Sequence, residues 1–269
     1  PPKKLAGELG SAFIIVLFTD LRITHLHGFL GVSGISALNS YIITIFIILL
    51  IINAVNLIDG IDGLAASIGI IASVTFGLFF YLSGDYGYTI MAAALLGALV
   101  AFLRYNITDG PNKIFMGDTG SLVIGFTLAI FAIHFNELVA GKELVVKLDS
   151  APAVSIAILI VPLFDTLRVI VLRLHYHQSP FSADHRHIHH MMLRAGFTHR
   201  RATLLISVFN ILMIAVAFLF DGLGILLLGL ILLASCLTFT LILHLAVKRR
   251  ESRLTEVTVV SQGAYSTRD

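Results

Sequence analysis

Four polar side chains recur at every third position within segment 52–67, which is otherwise almost entirely apolar. They are Asn53, Asn56, Asp59 and Asp62. On a helix, steps of three residues drift slowly around one face, so these groups could point into one site. Carboxylates beside a membrane core need a cation, a hydrogen-bond donor or a water-filled cavity. A turn needs only one or two such residues. We therefore interpret the segment as a candidate binding site, with a polar turn between two helices as the alternative.

A second polar motif, FMGDTGS at 115–121, precedes another apolar run. Its two glycines let the backbone approach a ligand closely, and free N–H groups at a helix start attract phosphate. The carboxylate of Asp118 is a candidate ligand, and capping of the helix by Asp118 or Thr119 is the alternative. Lys113, just upstream, is a candidate phosphate contact, with a solvated loop lysine as the equal alternative.

A third motif, in segment 183–202, combines histidines with arginines. The histidines are His185, His187, His189 and His190. A metal-binding tract is one interpretation. Their spacing differs from known zinc motifs and no cysteine lies nearby, so a structural zinc site is disfavoured. Because His and Arg both donate to phosphate oxygens, the pattern favours an anion-binding loop.

Together, the three motifs supply the groups that magnesium-assisted phosphoryl transfer requires. Magnesium takes few protein oxygens and keeps water and substrate phosphate oxygens as its other ligands. Basic side chains then share the charge that develops on the phosphates.

Long apolar runs recur along the chain, which has 269 residues, 57% of them hydrophobic and 13% charged. This charged fraction is about half of that in a soluble domain. We predict an all-α fold, a polytopic membrane helix bundle, because lipid offers no partner for free backbone groups. Each run is near the length needed to cross ~30 Å of hydrocarbon. The eight predicted transmembrane spans are 5–19, 40–57, 64–83, 88–105, 120–136, 152–172, 202–220 and 223–246.

The Lys and Arg residues are distributed unequally between the two sides that eight spans define. Fifteen of the 18 lie on the side of both chain ends, and the other three are Arg22, Lys142 and Lys147. By the positive-inside rule, the first side is cytoplasmic, which predicts a multi-pass protein of the inner (plasma) membrane. All three polar motifs fall on this side. The single cysteine, Cys236, excludes an internal disulfide framework and a cysteine metal cluster.

Two segments outside the spans have predictable character. Segment 21–34 alternates apolar and polar residues, which predicts a small β-hairpin at the outer surface. The tail 248–269 has low hydrophobicity, which predicts a disordered cytoplasmic segment. Residues 1–247 are then the membrane-embedded domain.

Charged residues also occur inside the sixth span. Asp165 and Arg168 are three residues apart and can pair on one helix face. A contribution to the site is the alternative, since charges within a membrane are often functional. Pro162, just before them, predicts a kink.

The three motifs, in this order along the chain, resemble those of the polyprenyl-phosphate N-acetylhexosamine-1-phosphate transferases. They are NAVNLIDGIDGLA at 53–65, FMGDTGSLVIGF at 115–126 and DHRHIHH at 184–190. The third is similar to the bacterial undecaprenyl-phosphate N-acetylglucosaminyl-1-phosphate transferase branch of glycosyltransferase family 4. The branch that uses UDP-N-acetylmuramoyl-pentapeptide carries a run of adjacent histidines instead. The resemblance covers residues 1–247.

This resemblance implies an enzyme that transfers N-acetylhexosamine-1-phosphate, GlcNAc-1-phosphate in this branch, from the UDP-sugar to undecaprenyl phosphate. UMP is released, and the product initiates cell-surface polysaccharide synthesis. Magnesium is the implied cofactor, with manganese as the alternative. The implied partners are UDP-N-acetylhexosamine, undecaprenyl phosphate and membrane lipid, without nucleic acid, and a homodimer is left open.

The resemblance also assigns roles to residues that match its motifs. Asn56 and Asp118 would bind the metal, and the alternative for Asp118 is a nucleophile in a two-step mechanism. Asp59 and Asp62 would contact the nucleotide or order the site, and together with Asp118 and His187 they form the catalytic set. Phe115 would lie near the uracil. The other substrate-binding candidates are Asn53, Lys113, and the histidines proposed to hold the diphosphate, His187, His189 and His190.

In one respect the chain departs from the family pattern. Family members carry an Asp-Asp motif just before a segment like PPKKLAGELG, where this sequence starts. We therefore expect an N-terminally truncated sequence, with three further spans completing the usual eleven. The rival interpretations are an inactive remnant without that motif, a phospho-N-acetylmuramoyl-pentapeptide transferase, and an ion or proton transporter. The transporter is disfavoured because most charges lie at one face and no internal repeat is visible.

Overall fold

The computed structural model describes residues 2–141, 146–179 and 186–266, with side chains up to residue 253. This part of the chain contains ten α-helices, one short 3-10 turn and a two-stranded antiparallel hairpin. The all-α membrane bundle is confirmed, and so is the hairpin predicted in segment 21–34. The helices are α1 (Pro2–Phe18), α2 (Ala37–Ile58), α3 (Leu64–Leu82), α4 (Tyr86–Asn106), α5 (Gly117–Gly141), α6 (Ala151–Ile158), α7 (Ile160–His175), α8 (Ile188–Arg194), α9 (His199–Leu219) and α10 (Ile225–Ser266), and the strands are β1 (His25–Phe29) and β2 (Val32–Gly34).

The number of spans differs from the eight that hydropathy predicts. Six described helices are long and apolar enough to cross a membrane, and the bent pair α6–α7 raises this number to seven at most. The one predicted span that does not meet this criterion is the first, 5–19, which corresponds to α1 and has only 17 residues. At 1.5 Å per residue it is about 25 Å long, slightly less than ~30 Å of hydrocarbon. The molecule is a multi-pass membrane protein.

The predicted span 152–172 is broken into α6 and α7, which meet at an angle of 84°. Pro162 explains the break, because it lacks the N–H that would bond to the carbonyl of Ile158. That carbonyl instead accepts a hydrogen bond from Asn210 Nδ2 of α9 at 3.1 Å. The kink predicted at Pro162 is therefore a full corner, stabilised by a side chain from another helix.

The core lies where α2, α3 and α5 pack together. Its largest buried side chains include four phenylalanines whose rings contact one another, Phe76 and Phe80 of α3 and Phe131 and Phe135 of α5. Helices α4 and α10, by contrast, expose most of their apolar surface, as expected for helices that face lipid.

The turns between helices form two polar ends of the bundle. At one end, Asp85 accepts a hydrogen bond from His134 at 2.7 Å, and Asp221 accepts from the backbone N–H of Ser150 at 2.8 Å. The other end, which we call the site end, carries the three sequence motifs.

Helix α10 leaves the bundle at the site end and continues to Ser266, whereas the sequence predicts a disordered tail from residue 248. The domain boundary at residue 247 stays a prediction.

Candidate active site

The loop between α2 and α3 is fixed by a side chain from the end of α4. Asn106 is buried, and its Oδ1 accepts a hydrogen bond from the backbone N–H of Gly63 at 2.6 Å. Its Nδ2 donates to the carbonyl of Ile114 at 2.9 Å. Gly63 has φ +79, a conformation that favours glycine, and it starts α3. Asn106 thus connects the first motif to the loop that carries the second.

Asp62 joins this loop to two further elements. Its carboxylate forms an ion pair with Lys113 Nζ at 2.7 Å and lies 3.3 Å from His199 Nδ1 at the start of α9. Its backbone carbonyl accepts from Thr203 Oγ1 at 2.8 Å. The predicted nucleotide-side residue Asp62 and the predicted phosphate ligand Lys113 are therefore direct partners, and Lys113 also lies 5.4 Å from the ring centre of Phe115.

Asn56 and Asp118, the two predicted metal ligands, are neighbours on α2 and α5. Asn56 Nδ2 lies 3.5 Å from Asp118 Oδ1 and donates to Ser121 Oγ at 2.8 Å. Asp59 ends α2 one turn later, and burial together with the charge of Asp118 raises the pKa of its carboxyl group. The two carboxylates are thus close enough for their charges to interact, which concentrates negative charge at this point of the site.

Two residues of α1 that sequence reasoning missed complete this side of the site. Lys4 Nζ donates to Asn56 Oδ1 and lies 3.9 Å from Glu8 Oε1. Glu8 is buried, and its other oxygen accepts from Asn53 Nδ2 at 2.8 Å. The signal was present in the sequence, since a glutamate four residues after a lysine in an apolar helix needs a buried partner.

Asn56 and Asp118, the predicted metal ligands, could hold a cation only together with water or substrate oxygens. Within the described ranges, no group of three or more His, Cys, Asp or Glu side chains is arranged to hold a metal ion. Magnesium needs only one or two protein oxygens beside water and substrate phosphate. Asp118 offers its carboxylate, and Asn56 could offer Oδ1, which in this structure accepts a hydrogen bond from Lys4 while Nδ2 faces Asp118. A cation at Asn56 would therefore take the place of the Lys4 ammonium, and Asp59 adds negative charge nearby.

The histidine segment is held by the charged pair of α7. Asp165, which is 2% exposed, accepts hydrogen bonds from His187 Nδ1 at 3.0 Å and from the N–H of Ile188 at 3.1 Å. Arg168 pairs with Asp165 at 2.7 Å and also donates to the carbonyl of Arg186. The predicted pairing of Asp165 with Arg168 is confirmed, and the pair also orients His187 and the start of α8.

His189 connects the histidine segment to the first motif, because its ring lies against Gly60. Its ring stacks with that of His187 at a centroid distance of 5.7 Å and lies 4.2 Å from the ring of His190. Burial, and to a smaller extent the charge of His190, lowers the pKa of His189 to about 3. His189 is therefore neutral near pH 7, so it can donate one hydrogen bond but adds no positive charge. Its buried Nδ1 has no hydrogen-bond partner among the described residues.

We expect Gly60→Ala to disturb the site, because the added Cβ would lie 2.2 Å from His189 Nε2. His189 is buried, and its ring lies beside those of His187 and His190, which leaves it little room to shift. Overpacking of this kind costs about 1–3 kcal/mol, measurable as a lower unfolding temperature in detergent. Gly97→Ala is the control, since its Cβ would meet nothing within 4 Å. Equal unfolding temperatures for the two variants would show that the contact is unimportant.

The structure brings most of the predicted site residues into one connected set at the site end. Asn53, Asn56 and Asp118 form one group, Asp62 and Lys113 a second, and the three histidines a third that meets the first motif at Gly60. Phe115 is 75% exposed, with a free face for a planar ligand. Asp184 and His185 of the third motif lie outside the described residues.

Comparison with known proteins identifies the same region. The model of glycosyl transferase family 4 matches residues 1–136, which include the first two motifs. Among curated proteins, the chain is 34% identical over 145 residues to the undecaprenyl-phosphate alpha-N-acetylglucosaminyl 1-phosphate transferase of Salmonella typhi, covering 52% of this chain. It is 32% identical over 146 residues, 54% of this chain, to the protein of the same name from Escherichia coli K12. It is 36% identical over 155 residues, 53% of this chain, to the decaprenyl-phosphate N-acetylglucosaminephosphotransferase of Mycolicibacterium smegmatis. In each case the match covers 38% of the relative's own length.

Proposed function

Because this chain belongs to glycosyl transferase family 4, we propose that it takes part in transferring N-acetylglucosamine-1-phosphate from UDP-N-acetylglucosamine to undecaprenyl phosphate. UMP is the second product, and the lipid-linked sugar starts a cell-surface polysaccharide. The relatives named above are transferases of N-acetylglucosamine phosphate to polyprenyl phosphates, which supports this choice of sugar and lipid.

One observation carries the proposal. Asn56 and Asp118 place an amide and a carboxylate 3.5 Å apart at the end of a membrane bundle. The first motif, which ends beside them, also contacts a lysine and a histidine segment. Phosphoryl transfer is catalysed mainly by positioning and by neutralising charge on phosphate oxygens, and this donor set suits both tasks.

In the proposed reaction, an oxygen of the lipid phosphate forms a bond to the β-phosphorus of the UDP-sugar. The bond from that phosphorus to the oxygen bridging to the α-phosphate breaks, and UMP leaves with the electron pair. Lys113, held by Asp62, donates to a phosphate oxygen, as does a ring N–H group of His190. His187, whose Nδ1 is engaged by Asp165, keeps the histidine segment in place. The exposed ring of Phe115 stacks on the uracil.

Asn56 and Asp118 would hold the divalent cation, magnesium with manganese as the alternative. The bound ion would supply positive charge to the diphosphate, beyond what Lys113 provides. We also propose that the site end faces the cytoplasm, where UDP-sugars are made, in agreement with the excess of Lys and Arg predicted on that side.

The direct test measures UMP release from membranes that contain the full chain. The membranes receive undecaprenyl phosphate and either UDP-N-acetylglucosamine or UDP-N-acetylmuramoyl-pentapeptide. We expect release with the first sugar nucleotide and none with the second. Release only with the second would identify the muramoyl-pentapeptide reaction, and release with neither would contradict the proposed activity of this chain.

A further inference from the structure

The turn of α10 that leaves the bundle at the site end has two chemically different faces. One face supports the histidine segment, because Arg250 donates to the carbonyls of Leu193 and Arg194, and Glu251 pairs with Arg194 at 2.7 Å. Val247, one turn earlier, is buried on the same side. This face is therefore occupied by the protein itself.

The opposite face carries three exposed cations in a short interval. Lys248, Arg249 and Arg253 lie three, four and eight positions after Leu245, which places all of them on one side of the helix. Together with Ser252 they form one continuous polar surface next to Leu245. In the described part of the chain none of the three cations forms an ion pair, and Glu251, on the same turn of the helix, pairs with Arg194.

The same face is apolar closer to the middle of the helix. Leu237, Leu241 and Leu245 are exposed at steps of four residues, on a helix that is long and apolar enough to span a membrane. Leucines exposed in this way contact acyl chains in a bilayer. The helix therefore passes from acyl-chain contacts to three cations within a few turns, at the depth where lipid headgroups begin.

We propose that Lys248, Arg249, Ser252 and Arg253 form a binding surface for the headgroup phosphate of anionic phospholipids in the leaflet at the site end. Guanidinium and ammonium groups donate to phosphate oxygens. Anionic headgroups also supply the negative charge that these three cations do not find among the described residues of the protein. Leu245 contacts the upper part of the acyl chains of the same lipid. Bound lipid lies directly behind the turn of α10 that holds α8.

The test is lipid binding to the full chain in detergent, measured by native mass spectrometry with phosphatidylglycerol and phosphatidylcholine of equal chain length. We expect the wild type to prefer phosphatidylglycerol, and the variant K248Q/R249Q/R253Q to lose about tenfold or more of that preference. The control K3Q/R104Q/R201Q removes the same charge from other exposed positions at the same end and should keep the preference. The exchange K248R/R249K/R253K, which keeps the charge, should also keep it.

Three outcomes would overturn the proposal. A wild type without preference for phosphatidylglycerol would exclude the surface, and equal losses in both glutamine variants would show a diffuse effect of net charge. Displacement of the lipid by millimolar inorganic phosphate would indicate a site for free anions instead. The assay involves no sugar transfer, so its result is independent of the proposed enzymatic function.

Discussion

Asp118→Asn is expected to lower the rate of sugar-phosphate transfer by on the order of a hundredfold to a thousandfold, while the protein stays folded in the membrane. The substitution keeps the shape of the side chain but removes its charge. Asn56 Nδ2 lies beside the carboxylate and can donate to an amide oxygen as well. Ser121 Oγ donates to the backbone carbonyl of Asp118, which the substitution does not change. The loss should therefore arise from weaker cation binding and not from unfolding. The measurement is UMP release as a function of magnesium concentration.

The magnesium dependence separates the two roles that the sequence leaves open for Asp118. If Asp118 binds the metal, high magnesium should restore part of the rate of the variant, because only one ligand is weakened. If Asp118 is a nucleophile, no concentration of magnesium restores it. Asp109→Asn is the matched control, since Asp109 lies in the loop before α5, its side chain is 88% exposed, and Arg200 is its ion-pair partner among the described residues. Full activity of Asp118→Asn at ordinary magnesium would contradict both roles.

The residues of the candidate site could be proposed from the sequence because polar groups stand out in an apolar chain. Asn56, Asp62 and Asp118 each interrupt long hydrophobic segments, and burial in a membrane makes such interruptions costly unless they have partners. The hydrogen-bond partners of these residues could not be predicted from the sequence. Lys4 meets Asn56 across 52 positions of sequence, and Asp165 meets His187 across 22. Such pairs depend on how helices pack, which hydropathy does not encode.

The fold shows the same division between local and long-range information. Helix type followed from the length and apolar character of each segment, and the hairpin followed from its alternation. The corner between α6 and α7 did not follow, because Pro162 sets the position of a break but not its angle. At this corner, Asn210 of α9 donates to the Ile158 carbonyl that proline leaves without its helical partner, a contact between distant positions that hydropathy does not encode. Because α1 has only 17 residues, close to the minimum length of a membrane span, the sequence alone does not fix the number of spans.

The largest effect on stability is expected at Asp165, whose removal should cost about 3–5 kcal/mol. Asp165→Leu leaves Arg168 partly buried without its carboxylate, and it removes the acceptor of His187 Nδ1 and of the Ile188 N–H. Thermal unfolding in detergent measures the loss. The exposed pair of Asp109 and Arg200 is the comparison, and breaking it should cost less than about 1 kcal/mol.

A double variant distinguishes the buried charge from the positioning of the histidines. In Asp165→Leu with Arg168→Met, no unpaired charge remains, so the unfolding temperature should recover much of the way toward the wild type. Transfer activity should stay low, because His187 and the start of α8 still lack their acceptor. Recovery of both quantities would mean that Asp165 serves only to neutralise Arg168. Recovery of stability alone would show that Asp165 has a second role beyond neutralising Arg168. Its carboxylate would then orient the histidine segment toward the phosphate-binding side of the site.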